Sequence, residues 1–283
     1  MLGSALISAL NGALTKMLSE DISALEIVFF RNLIGIFIIL YALKHTPPKL
    51  TGGKIHLLFT RGMFGFMAMI LFFYTITVIP LGEAITLNKT SPFFVTILAF
   101  FLLREHLSIK TAIALCVGFS GVVLIAKPFG MDFSSAHILG VLGGFFAAAA
   151  YTTIKKIKDI YDSRVIVLSF VSVGTLLPAL LFVLAPYVTV PDAIAFLFPK
   201  FIVPMTWKVW FLITLMALIS TLSQWFLTKA YSAKNLSIVG VVSYTNIPFA
   251  LGFGWLLGDT FPDLFSFVGI VLIIFGGVLV SRK

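Results

Sequence analysis

The chain has 283 residues, 60% of them hydrophobic and only 11% charged, with a mean hydropathy of +1.11. So few charges cannot cover a soluble protein of this size, which excludes soluble domains in favour of one polytopic helical bundle in a membrane. The net charge of +9 does not mark a nucleic-acid binder, because the basic residues are scattered through short loops rather than gathered in a stripe. Cys116 is the single cysteine, so neither an intramolecular disulfide nor a thiolate metal site can be built.

Ten apolar segments are predicted, over 2–18, 23–43, 57–79, 82–103, 108–126, 137–154, 164–184, 207–231, 235–257 and 264–280. Each has the roughly 17–25 residues that a tilted helix needs to cross hydrocarbon. The first run lacks a preceding basic region and a following cleavage site, so helix 1 itself is expected to act as the insertion signal. With the N-terminus placed in the cytoplasm, fourteen of the twenty Lys and Arg residues fall on cytoplasmic loops and helix ends. Only Lys127, Lys200 and Lys208 fall outside, and Lys16, Arg31 and Lys89 lie within helices. This bias predicts an even helix count with both termini cytoplasmic. The longest connection, about 185–206, contains Pro186, Pro191, Pro199 and Pro204, which forbid a regular helix and predict an outer loop lying on the membrane surface, with a functional lid as the alternative.

The fourth run is interrupted at its middle by Asn88-Lys89-Thr90-Ser91-Pro92. The ninth carries a similar break, Tyr244-Thr245-Asn246-Ile247-Pro248, and the two runs end in Glu105 and Asp259. Gly121-Val122-Val123-Leu124 likewise returns as Gly277-Val278-Leu279-Val280. Residues 1–127 and 128–283 therefore read as two five-helix repeats. An odd helix number makes the second copy enter the membrane from the opposite side, the arrangement that gives a transporter two oppositely facing states. At about 1.5 Å per residue both breaks fall near the bilayer midplane. Pro92 is expected to free the carbonyl of Asn88, and Pro248 that of Tyr244. Because Asn88 to Ser91 point in four directions, protein or cavity must surround helix 4 there.

Lys89 and Arg31 stand roughly 12 Å from the outer ends of their helices and need an anionic partner or water. That partner is either a carboxylate on the substrate or an internal network with Lys16, Glu26 and Glu83. Arg61, about one turn from the cytoplasmic end of helix 3, reads as a snorkelling or gate residue. Asn88, Tyr74, Tyr151, Gln224, Trp225, Tyr244 and Asn246 are further candidates for the substrate cavity, since they carry polar atoms within the spans. Glu83, at a helix end, is the one acid nominated for proton coupling.

The stretch from Pro80-Leu81-Gly82-Glu83-Ala84 through Ser91-Pro92-Phe93-Phe94 to Leu103-Arg104-Glu105, with Gly118 and Gly121-Val122-Val123-Leu124, resembles the EamA-type domain of the drug/metabolite transporter superfamily. A second such domain is suggested by Ala230-Tyr231, Ser243-Tyr244, Pro248-Phe249, Gly254-Trp255 and Gly258-Asp259. Asn11, Lys16, Phe30-Arg31-Asn32 and Arg61-Gly62 resemble the bacterial ten-helix branch. Asp259 departs from the glutamate usual in the family, a conservative change at a helix end. The resemblance implies an all-α membrane protein with ten helices in two inverted halves, around a cavity open alternately to each side.

The function expected is secondary transport of a small polar or zwitterionic metabolite, amino-acid-like or nucleoside-conjugate-like, across the bacterial inner membrane. The alternatives are an exporter of drugs or amphipathic cations and, further off, a lipid scramblase or channel. Membrane lipid, a coupling proton and a monomeric or weakly dimeric state complete the expectations, with no cofactor, metal or nucleic acid. An intramembrane enzyme is disfavoured, because the four histidines sit in loops or at helix ends and no HExxH or Gly-x-Ser-x-Gly is present. ATP drive is excluded by the lack of a P-loop.

Overall fold

The structure is a computed structural model. It describes residues 2–48, 52–103, 109–126, 134–204, 206–232, 244 and 246–281. Arg104, Glu105, Thr245 and residues 233–243, among the positions singled out in the sequence, lie outside the described residues.

The described elements are helical. They are α1 (Leu2–Leu18), α2 (Ala24–His45), α3 (Ile55–Val78), α4 (Leu81–Asn88), α5 (Ser91–Leu103), α6 (Ile109–Ala126), α7 (Ser135–Ile157), α8 (Ser163–Leu184), α9 (Trp207–Ser232), α10 (Asn246–Leu256) and α11 (Leu264–Ser281). Among them α2, α3, α7, α8 and α9 are long and apolar enough to cross a membrane, and three shorter stretches, within α1, α6 and α11, are apolar as well. Local chemistry sets several boundaries. Ser23 and Glu26 form a capping box that starts α2, and Ser134 with His137 does the same for α7. Asp162 caps α8 and is held below the usual carboxylate range by its hydrogen bond from Arg164.

The run predicted over 82–103 is two helices rather than one. Lys89 N–H still bonds the Ile85 carbonyl, but Thr90 turns back, its N–H and hydroxyl both donating to the Leu87 carbonyl. The chain then restarts at Ser91. Pro92 stands in the first turn of α5, where its missing N–H has no helical partner to lose. Pro248 stands in the first turn of α10 in the same way. The Tyr244 carbonyl is not freed, because it accepts from Ile247 N–H at 3.0 Å, and Pro248 is exposed on the flank of the bundle. Each proline thus stands in the first turn of a described helix.

The packing has an orderly pattern of partners. α3 lies along α7 and α8, while α9 lies along α1 and α2. α4 and α5 lean on α7, and α10 leans on α1. α2 meets α8, and α6 meets α11. The α6–α11 contact is backbone on backbone: a Cβ at Gly121 would stand 2.6 Å from the Gly269 carbonyl oxygen.

One end of the bundle is closed by the 185–204 connection, whose only regular pieces are 3-10 turns at Ala185–Tyr187 and Asp192–Leu197. It does more than lie on a surface. Phe196 stacks on Tyr74 with ring centroids 4.1 Å apart, and Phe201 packs among Phe29, Phe30 and Phe182. Ile202 N–H donates to Glu26 Oε1. At the same end Lys16 pairs with Asp259, whose Oδ2 also accepts from Leu81 N–H at 2.8 Å, so the start of α4 is tied to α1 and to the segment after α10. At the opposite end Arg164 donates to the carbonyls of Ala42 and Thr46, clamping the end of α2.

Candidate functional site

The gap between α4 and α5 borders a central cavity of about 110 Å³. Asn88 and Lys89 project from the gap itself. Arg31 enters from α2, Arg61 from α3, Tyr151 from α7, Phe170 from α8, Ser220 and Gln224 from α9, and Asn246 from α10. Ser8 and Asn11 of α1 complete the polar wall. Hydrogen bonds tie that wall together: Ser220 Oγ donates to Asn11 Oδ1 at 2.7 Å, and Asn246 Nδ2 donates to Ser8 Oγ at 3.2 Å.

The sequence reasoning placed polar groups around the break at mid-helix, and burial agrees. Thr90 and Ser91 are buried in protein, and Asn88 and Lys89 are half-buried on the cavity. The gap is held by α7 at Gly144, where a Cβ would stand 2.5 Å from Thr90 Oγ1 and 3.2 Å from the Asn88 carbonyl oxygen.

Of the predicted residues, Arg31, Asn88, Lys89, Tyr151, Gln224 and Asn246 are brought together. The others are not. Tyr74 stacks under the connection at the closed end. Trp225 turns to the opposite face of α9, where Lys229 lies 4.1 Å over its ring in a crevice shared with α2 and α8. Tyr244 is buried against α11, so close to Gly277 that a Cβ there would meet its hydroxyl oxygen at 2.0 Å. Glu83 lies 3.8 Å from His137 Nε2, away from the cavity lining. Pro92 and Pro248 serve as helix starters and do not line the cavity.

The internal ion-pair network suggested for Lys16, Glu26, Arg31, Glu83 and Lys89 is not formed among the described residues. Lys16 pairs with Asp259, Glu26 with the Ser23 cap and the connection, and Glu83 with His137. Arg31 instead lies 5.8 Å from the Phe73 ring centre and 5.7 Å from that of Phe170, with Nη1 against the sulfur of Met69.

Arg61 is the residue that sequence reasoning misplaced. It is 2% exposed and lines the cavity. Helix α3 begins at Ile55, so Arg61 already sits in the second turn. Gly65, one turn on, leaves room for the guanidinium to lie back along its own helix: a Cβ there would stand 2.2 Å from Arg61 Nη1. The guanidinium rests 4.9 Å from the Phe170 ring centre. The adjacent Arg61-Gly62 and a glycine four residues on were the available signal.

A helical bundle with this hydropathy has the character of a membrane protein. Comparison with known proteins agrees. Residues 1–127 match the model of the EamA-like transporter family. Over 283 residues, the whole of this chain and 94% of the relative, the chain is 33% identical to the pseudopaline exporter CntI of Pseudomonas aeruginosa strain UCBPP-PA14. It is 26% identical to the S-adenosylmethionine uptake transporter of Rickettsia conorii, over 94% of this chain and 86% of that one. A solved crystal structure shares the fold, with a TM-score of 0.66 at 16% identity over 98% of this chain and 94% of its own. The chain belongs to the EamA-like transporter family. It is a small-molecule transporter rather than an enzyme.

Proposed function

We propose that the protein is a secondary transporter of the inner membrane that carries a small polar metabolite with an anionic group, bound in the central cavity and released by alternating access. The observation that carries this reading is the cavity lining: Arg31, Arg61 and Lys89 face it, and no Asp or Glu lines it among the described residues. Such a wall attracts an anion and repels a cation, which disfavours the amphipathic-cation exporter. The partner pattern supports two inverted repeats, 1–127 and 128–283. Pairing the five helical spans of the two halves in order exchanges the α3–α7 contact with α9–α1, α3–α8 with α9–α2, and α5–α7 with α10–α1. It returns α2–α8 and α6–α11 to themselves. The basic-residue bias supports cytoplasmic termini, which puts the closed end outside. At about 110 Å³ the cavity is smaller than the ~300–1,000 Å³ of ligand pockets, so loading requires it to widen.

The test is a thermal-shift screen of the purified protein against amino acids, nucleoside conjugates, vitamins and organic anions, since a ligand of the folded state raises Tm. A carboxylate hit that disappears in Lys89→Ala supports the reading. A hit confined to cations or lipids, or one indifferent to Lys89→Ala, overturns it.

A further inference from the structure

The three cations of the cavity also constrain how many charges the substrate carries. Resting on the reading of this cavity as the binding site, we infer that the substrate bears at least two anionic groups, of the di- or tricarboxylate class, met by Lys89 at the helix gap and by Arg31 and Arg61 beside Phe170.

Three observations carry the inference. First, the residues Arg31 and Arg61 are 3% and 2% exposed, a depth at which a cation needs a counter-ion. Among the described residues, the acids nearest in the bundle are engaged elsewhere: Glu26 holds the α2 cap and the connection, Asp259 holds Lys16 and α4, and Glu83 faces His137. Second, donors are left over. Arg61 Nε and Nη1 and Arg31 Nε are buried without a hydrogen-bond partner among the described residues. Arg31 Nη1 lies against the Met69 sulfur, a weak acceptor. Planar guanidinium donors fit a carboxylate two at a time, and aromatic faces such as Phe170 steady the cations without neutralising them. Third, the charges outnumber what a single carboxylate can satisfy. A monoanion seated on the two arginines leaves Lys89 unpaired at the gap, and one seated on Lys89 leaves two guanidiniums buried. A zwitterion gains nothing for its ammonium, since no acid lines the cavity among the described residues. The neutral donors and acceptors of Asn11, Ser220 and Gln224 remain for the polar body that joins the anionic groups.

The experiment measures binding of butyrate, succinate and tricarballylate to the purified full chain at matched ionic strength, by Tm shift and titration calorimetry. A second charge-assisted contact strengthens binding by about tenfold or more. Succinate and tricarballylate are therefore expected to bind at least about tenfold more tightly than butyrate, and Lys89→Gln to reduce that advantage to about threefold or less. Equal affinity for butyrate and succinate, lost together in Lys89→Gln, overturns the two-anion inference while leaving the cavity as the site. A preference for succinate that neither Lys89→Gln nor Arg61→Gln alters puts binding elsewhere and overturns both readings. Failure of every carboxylate to bind overturns the inference, and the wider screen then decides on the cavity. Because the key comparison is made in the unaltered protein, it does not depend on a buried-arginine variant folding.

Discussion

At the residue scale the cavity is defined by side chains that an apolar helix would not carry without cause. Lys89, Asn88 and Arg31 were legible in the sequence because each interrupts a long apolar run. Arg61 was not, because a cation near the end of a run reads as one that reaches water, and only the room beside Gly65 shows that it turns inward. Tyr74, Trp225 and Tyr244 failed for a related reason. An aromatic residue suits lipid, core or cavity equally, and its direction depends on neighbours that a single sequence does not reveal. Arg61→Lys is expected to keep the charge but lose the planar fork, lowering kcat/KM about tenfold or more with a small change in Tm. Gly65→Ala, which drives a Cβ to 2.2 Å from Arg61 Nη1 and 2.5 Å from Phe170, should impair transport at least as much. Uptake assays that found either variant at wild-type rates would remove Arg61 from the site.

At the element scale the interruption at Asn88–Pro92 divides the fourth span into α4 and α5, with Pro92 in the first turn of the second. The sequence marks the proline but not whether the residues before it fold back, and Thr90 does so through its own hydroxyl. The gap depends on the close approach of α7. Gly144→Ala is expected to destabilise by about 1–3 kcal/mol and to distort the loop that presents Lys89. Gly143→Ala, whose Cβ meets its nearest neighbours at an ordinary 3.5 Å, should be close to neutral. Thermal melts of the two variants, side by side, test this; equal melting points would mean that the gap is not braced by Gly144. Pro248 carries less than its place in the pattern suggested. Exposed and in the first turn of α10, it should tolerate alanine with turnover near that of the unaltered protein.

At the scale of the whole molecule, composition alone announced a membrane bundle, and long apolar runs marked α2, α3, α7, α8 and α9. What the sequence did not show is what holds the proline-rich connection in place. Its prolines exclude a helix, but its grip comes from Phe196 and Phe201 on helices distant in the chain, and from Glu26, already committed as a cap. Phe196→Ala should loosen this end, raising hydrogen exchange across 185–204 by about tenfold or more while exchange at the Arg164 end stays as it was. Unchanged exchange would show that the stack on Tyr74 does not hold the connection.

The buried cations have a consequence in the language of voltage. Arg31, Arg61 and Lys89 are fixed to the protein, so in a crossing it is mainly the solute's charge that samples the membrane field. Each elementary charge moved through 100 mV changes the free energy by about 2.3 kcal/mol. For a solute with two or three negative charges, a cell interior held negative drives export by itself and opposes uptake, with no proton required. In proteoliposomes, an inside-negative potassium diffusion potential should speed efflux of a bound dicarboxylate and slow its entry, and reversing the potential should reverse both.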